Sequence, residues 1–242
     1  MKLQIIGSGA IFTKYASAAT LIDNKILVDC GAGTFKQLLR LNCNVDEIDT
    51  ILITHLHSDH FTDLPFMMYA ASKYAANGRK LTIYLPEGGI KAVYDIAKYL
   101  WDPESTATNW MPQNVELIEY QNDNLFSVDE LQVEPVKVEH GGIKASGFII
   151  EKDGKKIGFS GDSTMCDGVA KIVQSSDWVI LDASCPQAGN ALHMGLDDIY
   201  RFCTEYPNKK IITTHMYDEA RAVIRKDIAN LVAPVDGDVF EI

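Results

Sequence analysis

The stretch ILITHLHSDHFTDLP, residues 51–65, decides the fold and contains half of the histidines in the chain. Its first residues, 51–54, are apolar or β-branched and predict a buried strand. His55 and His57 follow directly and alternate in the sequence. Because neighbouring side chains of an extended backbone point to opposite faces, both rings are expected on the same side.

Two further candidate ligands come after this strand. Asp59 and His60 lie where the chain is expected to turn toward a helix that starts near Thr62. Three imidazoles and one carboxylate within six residues are ligand types that zinc and similar divalent ions prefer. A His-rich surface turn is the alternative, but loop structure does not require His at three of six positions. The stretch therefore predicts a metal site.

The other three of the six histidines lie beside strand-like segments or in a Gly-containing loop, at His140, His193 and His215. We predict two metal pockets from the combined set. One consists of His55, His57 and His140. The other consists of Asp59, His60 and His215. Asp162, at the end of a later strand, is expected to bridge the two metals through its carboxylate oxygens.

The predicted site has the parts of a hydrolase. Two cations about 3.5–4 Å apart lower the pKa of a shared water and clamp the oxygens of a displacement reaction. The expected nucleophile is a metal-bridging hydroxide, which Asp59 helps to orient. His193 is predicted to be the general acid that protonates a leaving alkoxide, and Asp182 is predicted to hold its ring. The alternative for His193 is a loop histidine with a structural role.

Composition limits the classes of partner. The net charge of −11 argues against broad, non-specific nucleic-acid binding, which depends on Lys and Arg. No apolar run is long enough to predict a membrane span. The five cysteines form no CxxC pair, which favours reduced thiols and a cytoplasmic location.

The strands fall into two groups, each accompanied by helices, without a linker between them. This order predicts an α/β fold with two packed sheets and helices outside, in a single domain over residues 1–242. The helices 63–76 and 217–230 are predicted from apolar periodicity. The segment 101–114, WDPESTATNWMPQN, is interpreted as a surface lobe or as a lid on the site. With helix 63–76 it is also a candidate homodimer interface.

A further carboxylate has two possible roles near the metal site. Asp29 ends an apolar strand, where it could hold a neighbouring ligand by a hydrogen bond or act only as a turn residue.

At these residues the sequence resembles the metallo-β-lactamase superfamily, whose HxHxDH motif stands here at His55–His60. The similarity is greatest to the ribonuclease Z-like branch, in ILVDCGAGT, GRKLTIYLPEG, FSGDST and the TTH that ends at His215. The resemblance implies a four-layer αβ/βα sandwich with two metal ions, usually zinc and sometimes manganese or iron. It also implies a proton donor paired with an acidic residue, at His193 and Asp182.

One difference from ribonuclease Z affects the expected substrate. Those enzymes carry a long tRNA-grasping arm between the positions that match His140 and Asp162, whereas this chain has only two ordinary strands and a turn there. A phosphodiesterase for a small substrate such as a cyclic nucleotide is therefore favoured. The alternatives are an RNA-processing nuclease without the arm, a hydrolase of another ester, lactone or thioester, and a metal-binding sensor without turnover.

Overall fold

Two seven-stranded sheets form the centre of the computed structural model, which describes residues 1–74, 80–100 and 114–242. The first sheet consists of β1 (Lys2–Gly7), β2 (Ala19–Ile22), β3 (Ile26–Val28), β4 (Thr50–Leu52), β5 (Leu81–Leu85), β6 (Val115–Glu119) and β14 (Val239–Glu241). The second consists of β7 (Phe126–Val128), β8 (Leu131–His140), β9 (Ile143–Lys152), β10 (Lys155–Phe159), β11 (Trp178–Asp182), β12 (Lys210–Thr214) and β13 (Leu231–Val232). Their strand orders are β14-β1-β2-β3-β4-β5-β6 and β13-β12-β11-β10-β9-β8-β7.

Helices cover the outer face of each sheet. The helices within the described ranges are α1 (Thr34–Arg40), α2 (Ser58–Phe61), α3 (Leu64–Tyr74), α4 (Gly89–Leu100), α5 (Asp167–Ser175), α6 (Leu196–Glu205) and α7 (Asp218–Val223). One apolar core lies between the first sheet and its helices, and a second lies between the second sheet and its helices. A third core lies between the two sheets. These three cores separate four layers and confirm the predicted αβ/βα sandwich.

The alternation of apolar side chains explains this layering. On β4, Ile51 belongs to the core under the helices, whereas the next residue, Leu52, belongs to the core between the sheets. On β11, Leu181 and Ile180 divide in the same way. Since both faces of these central strands are buried, their sequences are continuous apolar runs.

Strand direction brings the candidate site residues to one edge. Strands β3 to β6 run parallel, and so do β10 to β13. The carboxyl ends of each parallel set therefore lie together. The Ser146 amide on β9 donates to the Thr54 carbonyl after β4 at 3.1 Å, which joins the two sheets at this edge.

One expectation for the C-terminal region was wrong, and one short strand was not predicted. The helix predicted over 217–230 is only α7, which ends at Val223, and the short strand β13 was missed. The Asn230 side-chain amide donates to the carbonyls of Cys203, Tyr206 and Lys209. These bonds hold the segment against the end of α6 and favour an extended chain over further helical turns.

Some predictions fall on residues that the structure does not describe. The candidate lid and dimer segment 101–114 lies outside the described residues except for its last residue, and so do residues 75 and 76 of the predicted helix 63–76. No helix in the described ranges has the length and apolar character that crossing a membrane requires. All five cysteines are free, as predicted. The single domain over 1–242 stays a prediction.

Candidate metal centre

The motif after β4 enters the site partly on a helical turn. His57 is still extended, and α2 begins at the next residue, so Asp59 and His60 lie within α2. The expectation that Asp59 and His60 lie in a turn before a helix near Thr62 was therefore wrong, because both residues lie within the short helix α2. The Cys30 amide donates to the His60 carbonyl at 2.7 Å, which fixes α2 against the end of β3. Helical geometry then turns both side chains inward.

The structure brings the seven predicted ligands together in the two predicted groups. The first group consists of His55, His57, His140 and Asp162. The second group consists of Asp59, His60 and His215. Within each group, the candidate ligand atoms all lie within 4.8 Å of one another. Only His57 is exposed, and the other six residues are buried.

Asp162 lies between the two groups. Its Oδ2 is 3.2 Å from His215 Nε2, 3.3 Å from His60 Nε2 and 3.8 Å from His55 Nε2. Burial raises the pKa of this carboxyl, but the neighbouring His215 and His60 outweigh burial and hold the pKa well below its usual value. Asp162 is therefore ionised at neutral pH, and its carboxylate can bind a cation on either side.

Two buried ring nitrogens indicate that a cation fits here. His55 Nε2 and His60 Nε2 have no hydrogen-bond partner in the described part of the chain, although each is buried. A buried polar atom without a partner is costly, and a metal ion in each of the two groups would satisfy these nitrogens. Burial, followed by the nearby His60, holds the pKa of His55 well below its usual value, so His55 carries a free lone pair.

Hydrogen bonds to the opposite ring nitrogens point the candidate ligands toward the centre. His60 Nδ1 lies 2.9 Å from Asp29 Oδ2, which is the supporting role predicted for Asp29. His140 Nδ1 donates to the Leu192 carbonyl at 2.6 Å, so its Nε2 carries the lone pair and lies 3.0 Å from His57 Nδ1, another candidate ligand atom of the first group. Metal-bound histidines are commonly oriented in this way. A nitrogen-rich set with two carboxylates suits zinc, and the residues therefore fit a pair of divalent ions.

The protonation of His60 has a consequence for metal binding. Burial lowers its pKa, but Asp162 and Asp29 outweigh burial and raise the pKa well above the usual value. Metal ligation requires the neutral imidazole, so an ion that binds His60 must displace its proton.

The predicted acid pair also forms. His193 Nδ1 lies 2.8 Å from Asp182 Oδ2, and Asp182 is fully buried. Burial lowers the pKa of His193, but the hydrogen bond and charge of Asp182 outweigh burial and raise it. His193 Nδ1 is also 3.9 Å from Asp162 Oδ2, and together with His215 they form a third group that could hold a metal ion. Two roles are thus geometrically open to His193, proton donor or metal ligand.

Sequence reasoning missed three supporting residues. Thr54 Oγ1 lies 3.0 Å from His55 Nδ1, and Ser184 Oγ lies 2.9 Å from His215 Nδ1. A Cβ atom at Gly31 would overlap the backbone of Asp59, so only glycine fits there. The Gly in DCGAG signals a close backbone approach, but single hydroxyl residues carry no comparable signal.

Comparisons with known proteins agree with this architecture. Residues 24–216 match the family model described as a β-lactamase superfamily domain. The anti-Pycsar protein Apyc1 of Bacillus phage 010DV004 is 23% identical over 234 residues, which cover 90% of each chain. Ribonuclease Z of Oceanobacillus iheyensis is 35% identical over 162 residues, which cover 63% of this chain and 51% of that enzyme.

A solved structure supports the same fold. The metallo-β-lactamase fold protein YhfI from Bacillus subtilis superimposes with a TM-score of 0.78 at 20% sequence identity, covering 99% of this chain and 98% of that one. Residues 24–216, which the family model matches, include all the candidate ligands from His55 to His215. The chain therefore belongs to the metallo-β-lactamase superfamily.

Proposed function

We propose that this chain is a two-metal phosphodiesterase that hydrolyses small phosphodiesters such as cyclic nucleotides. The observation that carries the proposal is one cluster in which two groups of ligand atoms meet at Asp162, with the His193–Asp182 pair beside them. We assign one metal to His55, His57 and His140. We assign the other metal to Asp59, His60 and His215. Zinc is the proposed ion, with manganese or iron as alternatives.

When bound, two divalent cations would activate a water and neutralise the charge on the phosphate oxygens. Asp162 would hold the two metal sites at a fixed separation. Burial raises the pKa of Asp59, but the neighbouring His215 and His60 outweigh burial and lower it, so Asp59 is ionised. In that form it can accept a hydrogen bond from the attacking water and orient it.

The proton donor of the proposal is His193. Departure of an alkoxide from phosphorus requires a proton, and an imidazolium near neutral pH can supply it. Asp182 accepts from Nδ1 and raises the pKa of the ring, which keeps the acid form populated. The side chain of His193 is 12% exposed, so it borders the solvent that a substrate would displace.

Two features favour a small substrate. Between His140 and Asp162 the chain forms only the β8–β9 hairpin and β10, with tight turns at Gly141-Gly142 and Asp153-Gly154. No RNA-grasping arm extends from this fully described interval. The net charge of −11 also opposes non-specific binding to a long polyanion.

An RNA-processing nuclease is the second candidate, because the similarity to ribonuclease Z of Oceanobacillus iheyensis reaches 35% identity. Cleavage of structured RNA at rates above those for cyclic nucleotides would favour it. A hydrolase of other esters, lactones or thioesters would instead act on carboxylic substrates. A metal-binding sensor would bind metal without turnover.

The deciding experiment is a screen of phosphodiesters against protein loaded separately with zinc and manganese. Bis(p-nitrophenyl) phosphate reports the chemical step with a good leaving group, and cyclic nucleotides report the proposed substrate class. Turnover of both, abolished by Asp162→Ala, is the expected result. If neither compound is hydrolysed at any metal loading, the phosphodiesterase proposal is wrong.

We further propose that the protein acts as a homodimer in the cytoplasm. Phe66 and Tyr69 on α3 are 38% and 36% exposed and belong to the predicted interface helix. A monomer in light scattering would remove the dimer from the proposal.

A further inference from the structure

Asp182 contacts two different imidazoles, one directly and one through a hydroxyl group. Its Oδ2 is 2.8 Å from His193 Nδ1, and its Oδ1 accepts the Ser184 hydroxyl at 2.6 Å. The same Ser184 Oγ is 2.9 Å from His215 Nδ1. Asp182 and Ser184 are 0% and 2% exposed, so water does not compete for these bonds.

The direction of these bonds follows from the single hydroxyl proton. Ser184 Oγ has three neighbours, which are Asp182 Oδ1, His215 Nδ1 and the His215 carbonyl at 2.8 Å. The carboxylate oxygen at 2.6 Å is the nearest and strongest of these acceptors. The proton therefore points to Asp182, and the oxygen accepts a hydrogen bond from His215 Nδ1–H.

This direction determines what His215 presents to the metal centre. With the proton on Nδ1, Nε2 carries a lone pair, and it faces Asp59 Oδ2 at 3.1 Å and Asp162 Oδ2 at 3.2 Å. A lone pair beside two carboxylate oxygens is repulsive unless a cation lies between them. The hydroxyl thus selects the His215 tautomer that a metal requires.

The other half of the sandwich contains the same arrangement. Asp29, after β3, contacts His60 Nδ1 directly at 2.9 Å. Asp29 also accepts the Thr54 hydroxyl at 2.9 Å, and Thr54 Oγ1 lies 3.0 Å from His55 Nδ1. Each half therefore has one buried carboxylate at a strand end that orients one imidazole directly and another through a hydroxyl.

We infer that Ser184 is a positioning residue that connects the metal ligand His215 to Asp182, so that one carboxylate supports both a metal site and the proton donor His193. This inference rests on the proposed function, because it takes His215 as a ligand. It goes further in assigning a role to a residue that does not touch substrate or metal. Ser184 acts by fixing the tautomer and orientation of His215.

The test compares Ser184→Ala, Ser184→Thr and a matched control, Ser176→Ala. Ser176 is equally buried, and its hydroxyl has no hydrogen-bond partner among the described residues, so this control removes a buried hydroxyl away from the site. Zinc affinity is measured by competition with a chromophoric chelator. The tautomer of His215 is read from long-range ¹H–¹⁵N spectra of the zinc-loaded protein.

Ser184→Ala is expected to weaken zinc binding about 10- to 100-fold, as is typical when a hydrogen bond to a metal ligand is removed. The protected Nδ1 proton of His215 should also be lost. Ser184→Thr should restore both properties, and Ser176→Ala should match the parent protein. Zinc affinity and an Nδ1 signal unchanged in Ser184→Ala would overturn the inference.

His215→Ala separates failure of the inference from failure of the proposed function. If His215→Ala loses zinc while Ser184→Ala does not, the ligand assignment stands and the role of Ser184 is wrong. If His215→Ala binds two zinc ions as tightly as the parent protein, the ligand assignment is wrong, and the inference fails with it.

Discussion

Replacing His193 with alanine should slow hydrolysis of a poor leaving group far more than hydrolysis of a good one. The ring is held by Asp182 at 2.8 Å, which raises its pKa, so the acid form persists to higher pH than in a free imidazole. A positioned general acid contributes about 10²- to 10⁴-fold to rate. At 1.36 kcal/mol for each factor of ten, this is about 2.7–5.4 kcal/mol of transition-state stabilisation.

The assay compares kcat for a cyclic nucleotide, which expels an alkoxide, with kcat for bis(p-nitrophenyl) phosphate, which expels a stabilised phenolate. His193→Ala should lose the full factor on the cyclic nucleotide and less than about tenfold on the aryl ester, since a phenolate needs little protonation. Zinc content is the control and should remain at two ions per chain. Equal losses on both substrates would refute the proton-donor role, and loss of one zinc ion would identify His193 as a ligand instead.

Three other perturbations test separate parts of the site. Gly31→Ala should displace the Asp59 backbone, because the added Cβ overlaps it. Zinc affinity should fall, and thermal unfolding should show a loss of about 1–3 kcal/mol or more of stability. A variant with the zinc affinity and melting temperature of the parent protein would contradict this. Asp182 raises the pKa of His193, so kcat on a cyclic nucleotide should fall as pH rises through that pKa. Asp182→Asn should move this fall to lower pH. An unchanged pH dependence of kcat in the variant would count against the His193–Asp182 pair. Zinc at 100 times its Kd should add about 2.7 kcal/mol per site, and chelation should lower Tm by roughly 5–11 °C for each site emptied in a chain of this size. An unchanged Tm would exclude a tightly bound structural ion.

The candidate ligand set was predictable because its members are dense in sequence or follow strand ends. Three histidines in the segment 55–60 cannot be explained by packing. Asp162 and His215 each follow a strand of one parallel set, β10 and β12, and the carboxyl ends of parallel strands meet at one edge of a sheet. The sequence therefore indicated both the ligands and their division into two groups.

The supporting hydroxyls were not predictable for a physical reason. Ser and Thr occur at turns and strand ends throughout the chain, so Thr54 and Ser184 differ from other such residues only in three dimensions. Ser184 is 31 residues from His215 in sequence, and its contact depends on β11 and β12 lying side by side. Only the packed sheet provides that information.

The error at the C-terminal helix has a similar origin. The apolar spacing over 217–230 is compatible with a helix, but three hydrogen bonds from Asn230 to the end of α6 outweigh local propensity. Tertiary contacts commonly override the preferences of a short segment. The same applies to α2, where the contact of the His60 carbonyl with Cys30 stabilises a single helical turn that four residues would not form alone.

The central claim is that two cations bind side by side and share Asp162. Anomalous diffraction at the zinc edge, from crystals grown with zinc, tests it most directly. The expected map contains two peaks about 3.5–4 Å apart. One peak should contact His55, His57 and His140, and the other should contact Asp59, His60 and His215. Both peaks should contact Asp162, whereas a single peak, or a pair in which one peak does not touch Asp162, would contradict the account.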